Sequence, residues 1–232
     1  MSNRLIVESK NDKIFIQSLV NYLNKNSVDI AAINIAENAY LPLGGSDSTK
    51  IKNELRKIKD EAQKNPINKI GIVLDMDYKQ PLEWFGIINE AITNVFPSTE
   101  QNKIEKTSNF ITVSSEEISD IQIACYLTNV DGVGELETLL KEIKSQPSPK
   151  ADCLEAWKNC VETSTHKSIN TKEFNKLWVS NYIRHDTCTN QEKNNASEYC
   201  SMTKFEYVMT KDIWNFEHPA LDELKVFLKM FD

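Results

Sequence analysis

Ile70-Gly71-Ile72-Val73-Leu74-Asp75-Met76-Asp77 is the stretch from which the fold can be read. The apolar run is short for a helix and rich in branched side chains, which fits a strand buried on both faces of a parallel sheet. It closes on two acids. Strand alternation would point Asp75 and Asp77 to the same side as the chain leaves the core. Open α/β sheets bind ligands at that carboxyl edge. The same pair suits either a turn, where Asp is common, or a metal site.

Working outward, Leu5-Ile6-Val7-Glu8 reads as a first strand that also ends on an acid. A helix follows at once, with Ile14, Phe15, Leu19, Val20 and Leu23 at helical spacing and Asn11 and Asp12 suited to its first turn. Asp12 is there a natural complement to the helix dipole. Asp29 to Ala36 reads as a second strand, and Leu41 to Ser48 as the loop after it. Gly44 and Gly45 in that loop permit positive φ or close approach of a ligand. Thr49 to Lys64 is an amphipathic helix through Ile51, Leu55, Ile58 and Ala62. From Thr49 to Lys69 seven cations face three acids, which suits a solvated helix face or a phosphate-facing patch.

Beyond Asp77, Pro81 opens a helix to Val95 whose buried face is expected to be Leu82, Phe85, Ile88 and Ile92. Pro97 to Asn109 reads as a mobile loop. Phe110 to Val113 and Ile121 to Leu127 are strands whose short connection predicts an antiparallel hairpin at the sheet edge. Asp131-Gly-Val-Gly-Glu-Leu-Glu then feeds a helix with apolar Leu136, Leu139, Leu140 and Ile143, placing Glu135 and Glu137 in its first turn. Gln146-Pro-Ser-Pro-Lys150 is the best boundary by composition. After it helical patterns predominate, through Leu154, Trp157, Cys160 and Val161, then Phe174, Leu177, Trp178 and Tyr182, then Leu221 to Phe231. Arg184 to Ser197 reads as a polar surface loop or disordered segment, and His166 and His218 as structural. The expected class is therefore α/β: a mostly parallel sheet flanked by helices over residues 1–145, and a mainly helical region over 151–232 packed on it.

The totals narrow the function classes. The 232 residues carry 27 Lys plus Arg against 34 Asp plus Glu, a net charge of −7. That balance disfavours a protein that coats nucleic acid electrostatically, but not an enzyme that meets phosphates through a divalent ion. No apolar run reaches membrane length and the amino terminus lacks a signal-peptide pattern, so a cytoplasmic protein with no membrane partner is expected. Of five cysteines, Cys125, Cys153 and Cys160 read as small core residues. His185, Cys188 and Cys200 are a weaker zinc candidate, with no second Cys pair to complete it.

Four blocks in order carry a resemblance: Val7-Glu8-Ser9-Lys10-Asn11-Asp12, Leu74-Asp75-Met76-Asp77, Gly134-Glu135-Leu136-Glu137 and Trp214-Asn215-Phe216-Glu217-His218-Pro219-Ala220-Leu221. Together they resemble the Toprim domain of topoisomerases, primases and OLD-family nucleases, and most of all a bacterial family of small stand-alone Toprim-like proteins of unknown function. Ser9 departs from the glycine usual in that family. The resemblance implies that Glu8 acts as the catalytic acid or base and that Asp75 and Asp77 hold Mg2+ or Mn2+. It further implies that Asp12 supports a second ion and Glu137 supplies another ligand. Lys10, Gly44 and Gly45 complete the set as candidate substrate contacts. Hard oxygen donors suit such ions, which neutralise charge on a phosphoryl centre. The implied activity is a metal-dependent nuclease, a phosphodiesterase acting on DNA or RNA. The competing reading is a non-catalytic metal- or nucleotide-binding subunit that partners an ATPase in phage defence or DNA repair. No Walker motif occurs here, so the ATPase would be another chain; a homo-oligomer is compatible with either reading.

Overall fold

The computed structural model describes residues 2–26, 33, 35–45, 47–97 and 102–232. The chain forms two compact units, one comprising the chain up to Val133 together with Leu221–Asp232, the other Gly134–Ala220. The Gln146–Lys150 segment read as a boundary lies inside the second unit.

The first unit is a mixed α/β fold. Its elements run β1 (Ser2–Val7), α1 (Lys10–Asn26), β2 (Tyr40–Pro42), α2 (Ser48–Ala62), β3 (Ile67–Asp75), α3 (Pro81–Val95), β4 (Ile111–Ser115) and β5 (Ile118–Thr128). The sheet has the order β2-β1-β3-β5-β4. All pairings are parallel except β4 with β5, which form the expected edge hairpin. β3 is therefore central, and burial of Ile70 to Met76 matches a strand covered on both faces.

The second strand departs from expectation. Asp29 to Ala32 and Asn34 lie outside the described residues; Ile33, Ile35 and Ala36 are not in a strand. The strand that pairs with β1 is the short Tyr40–Pro42, inside the stretch read as a loop. Pro42 has no amide to donate to a ladder, which suits the edge position it occupies. Of Pro97 to Asn109, residues 98–101 also lie outside the described residues. Ile104, however, is buried and exchanges two hydrogen bonds with the Asn89 side chain, at 2.8 and 2.9 Å.

Alternation along the central strands sorts side chains onto two faces. Ile6, Ile70, Ile72, Leu74, Ile121, Ile123, Cys125 and Leu127 share one core with Ile51, Leu55 and Ile58 of α2 and Trp84, Ile88 and Ile92 of α3. Leu82, expected in the buried face of α3, is 77% exposed, and Trp84 takes the core position instead. The Trp84 indole N–H donates to the Met76 carbonyl at 3.1 Å, tying α3 to the end of β3.

Part of the opposite face of the sheet is covered by a segment from the far end of the chain, α9 (Asp222–Lys229) and the residues after it. Phe227 packs against Tyr126 with ring centroids 5.7 Å apart, and Phe231 meets Phe110 edge-on at 5.8 Å. The Asn3 side chain donates to the Phe231 carbonyl at 3.1 Å. Gly71 permits this packing: a Cβ there would stand 2.3 Å from Leu5 Cδ1 and 2.7 Å from Phe231 Cζ.

The second unit is helical, with α4 (Leu136–Glu142), α5 (Pro149–Thr165), α6 (Thr171–Asn181), α7 (Ala196–Tyr199) and α8 (Phe205–Val208). Trp178 stacks on Tyr182 at 5.5 Å, and the Tyr182 hydroxyl donates to the Ile213 carbonyl at 3.0 Å. Arg184 to Ser197, expected as a loop or disordered segment, is locally ordered. A π-helical turn covers Tyr182–Asp186, a 3-10 turn covers Glu192–Asn195, and a disulfide joins Cys188 to Cys200. That bond replaces the zinc candidate read from His185, Cys188 and Cys200. Cys125 is buried as expected, but Cys153 and Cys160 are exposed, because α5 buries only Ala151.

Candidate acidic site at the carboxyl edge of the sheet

Because β1, β2 and β3 are parallel, their carboxyl ends and the loops that follow meet at one edge. Glu8 stands one residue past β1, and its carboxylate Oε2 accepts a hydrogen bond from the Asp75 amide at 3.0 Å. Its backbone carbonyl accepts from the Gly45 amide at 3.1 Å, while the Val7 carbonyl accepts from Leu43 at 2.9 Å. The loop after β2 is thereby drawn against the end of β1. Gly44 and Gly45 have φ of 66° and 123°, conformations that favour glycine there. The Lys50 ammonium donates to the Gly44 carbonyl at 2.6 Å, bringing a cation of α2 to the same loop.

Asp75 is the last residue of β3 and is buried. It pairs in register with Thr128, the buried last residue of β5. The ladder continues one step further through Met76, whose amide donates to the Thr128 carbonyl at 3.0 Å. Asp77 does not follow the strand. Its φ is 52°, in the left-handed region that Asp tolerates, so the pleat no longer fixes which way its side chain points. Alternation therefore governs Asp75 but not Asp77, and the expectation that both share a side by strand geometry does not carry past Asp75.

Asp12 is also buried, and its surroundings explain Ser9. The Ser9 hydroxyl accepts from the amides of Asn11 and Asp12, at 3.2 and 3.3 Å, while Asp12 Oδ2 accepts from the Ser9 amide at 2.9 Å. This is a reciprocal cap on α1, and a glycine at position 9 could not supply its hydroxyl half. Lys10 begins α1 at this edge and is exposed.

Glu137 belongs to the second unit, in the first turn of α4. Its neighbour Glu135 is the more buried acid, at 2% exposure, and caps α4 reciprocally with Thr138. Burial pushes the Glu135 carboxyl above its usual range; the Asn175 side chain opposes that shift, and the charge of Glu137 adds to it. Sequence reasoning missed Glu135 as a special position because a helix-start Glu is common whatever its burial.

Among the described residues, the trio of His, Cys, Asp or Glu side chains whose ligand atoms all lie within 4.8 Å of one another is Cys188, Glu192 and Cys200. Glu8, Asp12, Asp75 and Asp77 form no such trio. The structure brings Glu8 and Asp75 into direct contact, sets Asp77 two residues away, and engages Asp12 in the helix cap. The donor set nonetheless fits a hard divalent ion in kind, because magnesium keeps several waters and takes only one or two carboxylates.

No helix among the described residues is long and apolar enough to cross a membrane. No curated protein and no solved structure matches the chain. The family described as a protein of unknown function, DUF3226, matches residues 2–231, and the chain belongs to that family.

Proposed function

We infer that this protein is a divalent-metal-dependent phosphodiesterase acting on nucleic acid, with its site at the carboxyl edge of the first unit's sheet. The observation that carries the reading is the 3.0 Å hydrogen bond from the Asp75 amide to the Glu8 carboxylate, which joins acids of two adjacent parallel strands at one point. Asp75 and Asp77 are the residues that would hold Mg2+ or Mn2+. When bound, such an ion supplies charge neutralisation at the phosphoryl group. Glu8 exchanges a proton with the attacking or leaving oxygen. Gly44 and Gly45 let backbone approach the substrate, and Lys50 and Lys10 place positive charge for its flanking phosphates. Asp12 serves first as the α1 cap, and Glu137 belongs to the other unit.

The test is cleavage of labelled single-stranded DNA, duplex DNA and structured RNA with EDTA, Mg2+ or Mn2+, comparing wild type with Asp75→Asn. Products that require metal and vanish in Asp75→Asn support the reading. If no substrate is cut while calorimetry detects metal binding that Asp75→Asn abolishes, the protein is instead a binding subunit, and an ATPase chain is the partner to seek.

A further inference from the structure

Four large apolar side chains among the described residues of the first unit are strongly exposed: Tyr78 at 61%, Leu82 at 77%, Val133 at 53% and Val226 at 59%. Single exposed apolar residues are ordinary on any surface. Here Tyr78 and Val133 fall on the connections that leave β3 and β5, the neighbouring strands whose carboxyl ends carry Asp75 and Thr128, and Leu82 falls in the first turn of the helix after β3. Tyr78 directly follows Asp77, Leu82 is the second residue of α3, and Val133 closes a tight turn with Val130, whose amide donates to the Val133 carbonyl at 2.9 Å.

Tyr78 projects from a short turn after β3 and is mostly exposed. Asp77 is left-handed and the Lys79 amide donates to the Met76 carbonyl at 3.2 Å, so Tyr78 lies inside a hydrogen-bonded turn. The inner position is already filled by Trp84, whose ring face is covered by the Lys79 ammonium at 3.9 Å from its centroid. An exposed aromatic side chain directly after Asp77, with Lys10, Lys50 and Lys79 at the carboxyl edge of the sheet, combines what unpaired nucleic acid requires. Bases stack on the aromatic surface while cations follow the phosphates. A duplex hides its base faces, so the ring would have nothing to stack on.

We propose that Tyr78 is the stacking platform for an unpaired base next to the cleaved phosphate, so that the substrate is single-stranded nucleic acid. The inference rests on the phosphodiesterase reading for its chemistry, but its test reads binding separately from cleavage. Fluorescence anisotropy is measured with a labelled single-stranded 20-mer, as DNA and as RNA, and with the matching DNA duplex. The proteins are Asp75→Asn alone and Asp75→Asn combined with Tyr78→Phe or with Tyr78→Ala, so that the probe stays intact. The single strands should bind more tightly than the duplex. Tyr78→Ala should weaken single-strand binding about tenfold and leave duplex binding within about twofold, while Tyr78→Phe stays within about twofold throughout. Thermal melting confirms that the variants are folded. Equal loss on single strand and duplex, no loss in Tyr78→Ala, or tighter duplex binding overturns the proposal. Absence of cleavage by the wild-type protein, with Tyr78-dependent single-strand binding intact, overturns the phosphodiesterase reading and leaves the stacking site standing.

Discussion

The amide of Asp75 donates to the carboxylate of Glu8 across 3.0 Å, although 67 residues separate the two in sequence. One acid thus positions the other through its backbone rather than through its own carboxylate. Glu8→Gln keeps an oxygen that can accept this bond but can no longer exchange a proton. Turnover should fall by about 10²- to 10⁴-fold with substrate affinity and melting temperature nearly unchanged. Single-turnover kinetics beside anisotropy separates the two effects, and unchanged turnover would remove Glu8 from the mechanism.

Gly71→Ala inserts a methyl where Leu5 and Phe231 already stand within 2.7 Å. Overpacking of this kind costs about 1–3 kcal/mol. Chemical denaturation should show that loss. Pairing Gly71→Ala with Phe231→Ala should be less destabilising than the separate effects added together, because the ring is one of the two obstacles.

Ser9→Ala removes the hydroxyl half of the α1 cap, at a cost of about 1 kcal/mol. Asp12→Asn weakens the other half, so the double variant should lose less than the two single losses added together. Additive losses measured by denaturant unfolding would mean that the two side chains do not act as one cap.

These experiments bear on a fold whose organisation was largely legible. Buried apolar runs marked β1, β3 and β5, and helical spacing marked α1, α2 and α4, since both patterns follow directly from which faces are buried. The edge hairpin was legible from its short connection. β2 was missed because three residues ending in proline carry no alternation to read. Leu82 misled because the first turn of α3 projects beyond the core, where periodicity alone cannot see the helix's overhang. Of the candidate site, the acids at strand ends were readable as a pattern. The left-handed Asp77, the capping role of Asp12 and the burial of Glu135 depend on backbone turns and distant neighbours, which one sequence does not display.

Cys188 and Cys200 close a loop with a sequence separation of 12. A cross-link of that length stabilises by about 3 kcal/mol, chiefly by restricting the unfolded chain. Reductant, or Cys188→Ser with Cys200→Ser, should therefore lower the melting transition of the second unit. An unchanged transition in reductant would show that the bond contributes little in solution.

Glu192, beside that disulfide, gives an acid limb with a definite sign. Burial alone would raise its carboxyl, but the Thr189 amide at 2.7 Å, the Lys211 ammonium at 3.0 Å and the Tyr207 hydroxyl at 3.1 Å bring it down to about 2. An unfolded glutamate titrates near about 4.3. The contribution is thus complete above that pH and disappears as pH falls toward about 2. Glu192→Gln should lower stability at neutral pH and flatten its decline between about pH 4 and 2, as followed by tryptophan fluorescence.

Phe227 and Phe231 reach the sheet only after the whole second unit has been written into the chain. On the ribosome, the face bearing Gly71, Phe110 and Tyr126 must therefore wait through 87 intervening residues, Gly134 to Ala220, before its aromatic cover emerges. The first unit begins synthesis earliest and completes its core last. Release from the ribosome, or protection by a chaperone until then, becomes the step at which this sheet ceases to be exposed to other nascent chains.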